Sequence, residues 1–208
     1  MARSLRVISI DGTRGAGKSS QIAMLSKYFK SSGMKVSTLK MTDGEPIQSG
    51  LIALEFTKTF LAKSDDHIVI LDGSIARPMV GDIISGMSNT ALFDKYKTLT
   101  QAYEALDHKY NIANFLMVMD DVEECKRRIQ KHKTLTGVDN SELEDVDKEN
   151  DVVSGMRFFN NHIVSKNIQF QVIEVDPRHS MIDINKMIMQ KLSDSYDFSK
   201  PKKDDNEW

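Results

Sequence analysis

The chain of 208 residues holds a single cysteine, Cys125, so it can form no internal disulfide and no cysteine-based zinc cluster. That economy suits a reducing compartment, and a cytoplasmic location is expected. Excess charge is lacking too: 28 Lys and Arg stand against 30 Asp and Glu, a formal net charge of -2. A global basic field of the kind that gathers nucleic acid is thereby excluded, and any anion site has to be local. No apolar run reaches membrane-spanning length. The stretch after Met1-Ala2-Arg3 is broken by Ser9 and Asp11 before it builds the apolar core of a signal peptide, so none is expected. Internal repeats are missing. The histidines (His67, His108, His132, His162 and His179) show no metal-ligand spacing. Residues 195–208 are charged and poor in apolar side chains, which predicts a mobile tail ending in Trp208.

What is present is concentrated near the start. Gly12-Thr13-Arg14-Gly15-Ala16-Gly17-Lys18-Ser19 satisfies G-x-x-x-x-G-K-[ST] at every fixed position. The context supports the match: Leu5 to Ile10 reads as an inner parallel strand, and Ile22, Leu25 and Phe29 recur at helical spacing up to Gly33. In such a strand-loop-helix unit the glycines let successive N–H groups face phosphate oxygens, with the helix N-terminus behind them. Lys18 is then expected at the β- and γ-phosphates of ATP, and Ser19 at magnesium.

Further β-rich runs occur at Val36–Leu39, Ile68–Leu71, Phe115–Met119 and Phe170–Val175, each separated by helical or polar segments. That alternation predicts one α/β domain over residues 1–194, with a mostly parallel five-stranded sheet between helices. Ile52, Phe56, Thr59 and Phe60 share a helical stripe. From Ser88 to Tyr110 a long helix carries Leu92, Tyr96, Leu99, Tyr103 and Leu106, a stripe suited to the core or to a homodimer contact. Asp120-Asp121 opens another helix, on which Val122, Cys125 and Ile129 form one packing face. Lys131 to Asp151 is polar without apolar period and reads as a loop or closing lid. A helix from Met181 to Leu192 closes the domain.

Taken in order, these segments resemble the thymidylate kinase branch of the P-loop nucleoside monophosphate kinases. The resemblance rests on Ile10-Asp11-Gly12 through Ser19-Ser20-Gln21, on Lys40 to Ile47 with Gly44-Glu45-Pro46, and on Asp72 after Ile68-Val69-Ile70-Leu71. Glu124 through Arg128-Ile129 and Lys131 is similar to the helix leading into the lid, Asp139 to Glu144 to the lid's acidic run, and Val172 to Asp176 to the last strand. It implies a three-layer P-loop kinase fold with a lid, and Mg2+ with ATP as phosphoryl donor. It further implies Gly12, Thr13, Arg14, Gly15, Ala16, Gly17, Lys18, Ser19, Ser20 and Arg128 around ATP. Ser19 and Asp72 are expected to organise the metal, and Asp11, Lys40, Phe56, Asp72 and Arg77 to face the acceptor. Lys18, Asp72, Arg128 and Arg14 are the residues expected in catalysis. Phe56 is expected either beside the acceptor base or in the core.

Three departures bear on the acceptor. Arg14 stands where family members usually carry a carboxylate facing the acceptor's 3′-hydroxyl, and a guanidinium favours an anion instead. Gly73 follows Asp72 where the family has Arg, which makes Arg77, expected in an extended loop before Pro78, the nearest replacement. Asn140 occupies a usual lid-arginine position, leaving Arg128, Lys131 and Lys133 as lid cations. The implied activity is phosphorylation of a (deoxy)nucleoside monophosphate. A kinase acting on a hydroxyl of a deoxynucleoside or of a modified base in DNA, and a non-catalytic nucleotide-binding module, are the alternatives.

Overall fold

Val7-Ile8-Ser9-Ile10-Asp11-Gly12 is buried at all six positions because it runs through the middle of a sheet covered on both faces. In the computed structural model, which describes residues 3–41, 45–136, 155 and 168–197, the elements follow in this order. They are β1 (Arg3–Ser4), β2 (Val7–Gly12), α1 (Lys18–Ser31), β3 (Lys35–Lys40), α2 (Pro46–Lys63), β4 (His67–Asp72) and α3 (Ala76–Ile84). After them come α4 (Asn89–Tyr110), β5 (Ile112–Val118), α5 (Val122–Thr136), β6 (Phe170–Glu174), α6 (Met181–Ser195) and β7 (Tyr196–Asp197). The main sheet has five strands in the order β3-β4-β2-β5-β6, and every pairing is parallel. The expected α/β architecture is therefore the one observed.

Alternation along the strands sorts the core into two layers. Ile8, Ile10, Ile68, Ile70, Phe115 and Met117 meet α1 and α6 through Leu25, Phe29, Ile184, Ile188 and Leu192. Val7, Val69, Leu71, Leu116 and Val118 face the opposite way, toward α2, α3 and α4. The predicted stripe of α4 is wholly inside this second layer, with Leu92, Tyr96, Leu99, Tyr103 and Leu106 at 0–3% exposure. Burying each such leucine is worth roughly 1.5–3 kcal/mol, and none of the stripe is left to cover a second chain. Tyr103 reaches the sheet and donates its hydroxyl to Asn114 Oδ1. Burial pushes its phenol pKa up, so it stays a neutral donor.

Most of the stripe read on α2 faces outward, although Phe60 is partly buried against the core. Ile52 and Phe56 are 50% and 52% exposed, while Gly50, Ala53, Leu54, Thr57 and Leu61 form the buried face. At Gly50 the helices come close, since an added Cβ there would lie 2.8 Å from Leu99 Cδ1 of α4, so this one position of the face requires glycine. Glu45 begins α2 by accepting from the backbone N–H of Ile47 (3.2 Å) and Gln48 (2.6 Å), with Pro46 in the first turn. At its far end Arg6 donates to the carbonyls of Leu61 (2.9 Å) and Ser64, capping the helix C-terminus.

Two boundaries differ from expectation. Residues 131–136 continue α5 rather than starting a loop, and the remainder of the predicted lid lies outside the described residues. Helix α6 runs to Ser195, and Tyr196–Asp197 pairs in parallel with Arg3–Ser4, so regular structure extends past residue 194. Backbone pairing with a distant segment is what orders those two positions; residues 198–208 lie outside the described part.

Candidate functional site

The carboxyl ends of β2 and β4 lie side by side, yet β2 passes its chain to α1 on one face of the sheet and β4 passes its chain to α3 on the other. A crevice opens where neighbouring connections diverge in this way. Its floor is the glycine-rich loop. Gly12 has φ 143°, and a Cβ there would sit 1.9 Å from the Met117 carbonyl oxygen. Thr13 continues the attachment to β5, its N–H donating to Met117 O (3.0 Å) and its hydroxyl accepting from Met119 N–H (3.2 Å). Gly15 and Gly17 have φ 73° and 92°. An added Cβ at Gly15 would meet Cys125 Cα at 3.1 Å and one at Gly17 would meet Met181 Sδ at 2.9 Å, so the starts of α5 and α6 wall the loop. Cys125 is thus a packing residue, as expected, and its partner is the loop itself.

Gly17 is the N-cap of α1, and no side chain caps it. The other described helices each receive a side-chain acceptor at that end: Glu45 on α2, Ser74 and Asp11 on α3, Ser88 on α4, Asp121 on α5 and Ser180 on α6. The first-turn N–H groups of a helix have no intrahelical partner and carry the positive end of its dipole. At α1 they open onto the loop, the arrangement that favours phosphate oxygens.

Two cations meet on one atom beside this loop. Lys18 Nζ donates to the carbonyls of Gly12 and Thr13, both at 2.8 Å, and Arg77 Nη1 donates to the same Gly12 carbonyl at 3.3 Å. Arg77 is half-buried, and among the described residues it has no carboxylate partner. It does not occupy the extended loop expected from Pro78. Instead it lies in the first turn of α3, where Pro78 is tolerated because the missing N–H would have had no helical acceptor.

Asp11 explains how that turn is held. At 1% exposure, its Oδ1 accepts from Gly12 N–H (2.7 Å), and its Oδ2 accepts from Ser74 Oγ (2.8 Å), Ser74 N–H (3.0 Å) and Arg77 N–H (3.3 Å). Expected at the acceptor, this carboxylate is instead turned into the protein, onto backbone and Ser74. Ser74, 1% exposed, was not anticipated, although a serine just before a helical apolar run is a recognisable N-cap signal. Met181 and Asn185 were also missed. Gln21, fully buried, links them by donating to Met181 O (2.9 Å) and accepting from Asn185 Nδ2 (3.0 Å), a pairing between residues 160 or more apart that has no local signature.

The remaining predicted residues divide by position. Asp72 ends β4 in register with Lys40 of β3 and Ile10 of β2, so both charges stand on the carboxyl edge of the sheet, Asp72 partly buried and Lys40 exposed. Ser19 and Ser20 are exposed on the first turn of α1, Ala16 is buried and Arg14 is half-buried with its Nη1 enclosed. Phe56 is on the outer face of α2, stacked on Phe60 at 6.4 Å, and belongs to neither the core nor the crevice floor. Arg128, 15% exposed, donates from Nε to Glu124 (2.6 Å) and from Nη2 to Pro177 O (3.3 Å), tying α5 to the loop after β6. Arg127 and Arg128 together hold the Glu124 carboxyl down at about 2. Lys131 is exposed, while Asn140, Glu142 and Glu144 lie outside the described residues, as do the side chains of His132 and Lys133.

Among the described residues, no three His, Cys, Asp or Glu side chains cluster as a metal cage. The donors at hand are oxygens, the Ser19 hydroxyl and the Asp72 carboxylate, which fits magnesium carried largely by a triphosphate and its waters. No helix among the described residues is long and apolar enough to cross a membrane.

No family model matches the chain, and no curated protein matches it in sequence. Solved structures do match. Deoxyadenosine kinase from M. mycoides, solved with bound dATP, superposes with TM-score 0.53 over 90% of this chain and 99% of its own, at 17% identity. Polyphosphate kinase 2 from Arthrobacter aurescens TC1 superposes with TM-score 0.58 over 92% of this chain and 68% of its own, at 11% identity. At such identities the likeness is one of fold: the five-stranded parallel sheet with flanking helices is an architecture shared with these two kinases.

Proposed function

Starting from this fold, we propose that the protein transfers the γ-phosphoryl group of ATP to a nucleotide, with a deoxynucleoside monophosphate as the preferred acceptor. The observation that carries the reading is the meeting of Lys18 and Arg77 on the Gly12 carbonyl. One cation comes from the donor loop and the other from the element after β4, so a phosphoryl group passing between two phosphates would meet both. Phosphoryl transfer asks the protein for positioning and charge stabilisation rather than covalent chemistry.

In this reading the amides of Gly15, Gly17, Lys18 and Ser19 cradle the donor phosphates. Lys18 neutralises the β- and γ-phosphates, and Arg77 with Lys40 grips the acceptor phosphate. Arg14 adds positive charge at the loop, in keeping with an anionic acceptor. Ser19 and Asp72 would hold magnesium, whose positive charge would offset the charge developing on the phosphates. Arg128 braces the loop after β6 near the donor, through its bond to Pro177.

A hydroxyl acceptor is the second reading, motivated by the likeness to a deoxyadenosine kinase. That chemistry calls for a base at the acceptor hydroxyl. Asp72 is the carboxylate on the crevice edge suited to it, since Asp11 is enclosed. The two readings separate when the protein is incubated with γ-labelled ATP and magnesium against deoxynucleosides, deoxynucleoside monophosphates and single-stranded DNA. Label appearing in a diphosphate supports the first. Label only in a monophosphate product or in DNA overturns it, and nucleotide binding without transfer to any acceptor overturns both.

A further inference from the structure

Asp11 carries more contacts than a strand-end carboxylate needs, and all of them join two parts of the crevice. Its Oδ1 holds the Gly12 amide of the donor loop, while its Oδ2 holds the Ser74 amide, the Ser74 hydroxyl and the Arg77 amide of the acceptor side. Ser74 Oγ in turn accepts from Ala76 N–H at 2.9 Å. Arg77 then folds back, its guanidinium donating to Gly12 O. The result is a closed ring from Asp11 through Ser74 and Arg77 to Gly12, the residue whose carbonyl also receives Lys18. With three donors on Oδ2, one on Oδ1 and 1% exposure for the residue, Asp11 lacks the access needed to bind an acceptor or take its proton.

We propose that Asp11 is a positioning residue: it locks the first turn of α3 to the donor loop so that Arg77 stands beside Lys18, and it contacts neither substrate. This rests on the phosphoryl-transfer reading of the crevice. A buried carboxylate suits the task better than a neutral group. It accepts every donor offered by the Gly12, Ser74 and Arg77 amides and complements the positive end of α3. An amide of the same shape would turn an N–H toward one of those donors and release the turn. Misplacement of a charge-stabilising group by about 1 Å costs on the order of 100-fold in rate.

The test is a cycle of Asp11→Asn, Arg77→Ala and the double variant, with Ser74→Ala as a milder break of the same ring, each first checked for a cooperative melt. With MgATP and the acceptor that the wild type uses, Arg77→Ala is expected to lower kcat about 100-fold, and Asp11→Asn roughly 10- to 100-fold. The affinity for MgATP should change less than about threefold in both, because the loop amides of residues 15–19 are untouched. The double variant should be no slower than Arg77→Ala alone, because Asp11 acts through that residue. Independent, multiplying effects overturn the proposal. So does loss of the acid limb of the kcat–pH profile in Asp11→Asn alone, which marks a base.

Amide hydrogen exchange keeps the inference apart from the reading it rests on. MgATP is expected to slow exchange at Ser74 and Arg77 in the wild type and to leave both amides unprotected in Asp11→Asn. Equal protection in the two proteins overturns the ring as a link, whether or not any acceptor is phosphorylated. Failure of the wild type to phosphorylate any acceptor overturns the function alone.

Discussion

Two glycine-to-alanine changes, identical in chemistry, are expected to move stability in opposite directions. Gly12 adopts φ 143°, and its added methyl would fall 1.9 Å from the Met117 carbonyl oxygen. That oxygen is backbone in the neighbouring strand and already accepts the Thr13 N–H, so it cannot rotate away. Relief requires β2 and β5 to part at their carboxyl ends, which breaks the Thr13–Met117 bond and the Met119–Thr13 bond at about 1 kcal/mol each. The left-handed backbone adds about 1–2 kcal/mol for any residue with a Cβ. Gly12→Ala should therefore lose about 3–4 kcal/mol, which for a chain of this length lowers Tm by roughly 10 °C. Gly81 is exposed within α3, and a Cβ there meets nothing within 4 Å. Gly81→Ala should gain roughly 0.5–1 kcal/mol from helix propensity and raise Tm by about 2–3 °C. Thermal melts of both variants with the wild type, repeated by urea titration, decide the matter. A Gly12→Ala protein that melts with the wild type, or a Gly81→Ala protein that melts well below it, refutes the reasoning.

Lys18→Ala should reduce phosphoryl transfer by at least about 100-fold while the melt stays close to wild type. The Gly12 and Thr13 carbonyls it vacates keep donors in Arg77 and Ala16; unchanged turnover would remove the loop from the chemistry. Glu124 is held near 2 in the folded protein by Arg127 and Arg128 against an ordinary value of 4.5. Its carboxylate thus contributes stability fully above about 4.5, and that contribution fades as pH falls toward about 2. The Tm gap between wild type and Glu124→Gln should be widest near neutrality and shrink across that acid window; a gap independent of pH contradicts the pairing. Arg6→Met leaves the Leu61 carbonyl at the end of α2 without its Arg6 donor and the Ser64 carbonyl with only the His67 N–H at 3.4 Å, and should cost about 1–2 kcal/mol in urea unfolding. Its salt bridge to Asp65, which is 89% exposed, contributes little, so Asp65→Asn should unfold with the wild type.

The five strands, the glycine-rich loop and the α4 stripe were legible in the residues because each signal is contained within a few positions. A buried parallel strand needs only a short β-rich run, a loop that curls around phosphate needs glycine at set spacings, and a long helix repeats its apolar contacts every three or four residues. Where a helix packs closely, the same logic misleads. On α2 the apolar Ile52 and Phe56 point outward, and the buried face of Gly50, Ala53, Leu54, Thr57 and Leu61 includes a glycine and a threonine that apolarity alone does not pick out, Gly50 being required by the approach of Leu99 of α4.

The crevice shows the same division. Sequence alone named Lys18 and singled out Arg77, but their meeting on Gly12 O joins residues 65 positions apart and exists only because β4 lies beside β2. The inward turn of Asp11 likewise depends on Ser74, just before α3, and Arg77, in its first turn, since a carboxylate at a strand end reads the same whether it faces a ligand or caps a helix. Composition, periodicity and glycine spacing determined which elements form and where the glycine-rich loop falls. Strand order decided which charges share the crevice, because proximity between distant segments is a property of the packed sheet and leaves no mark on either segment alone.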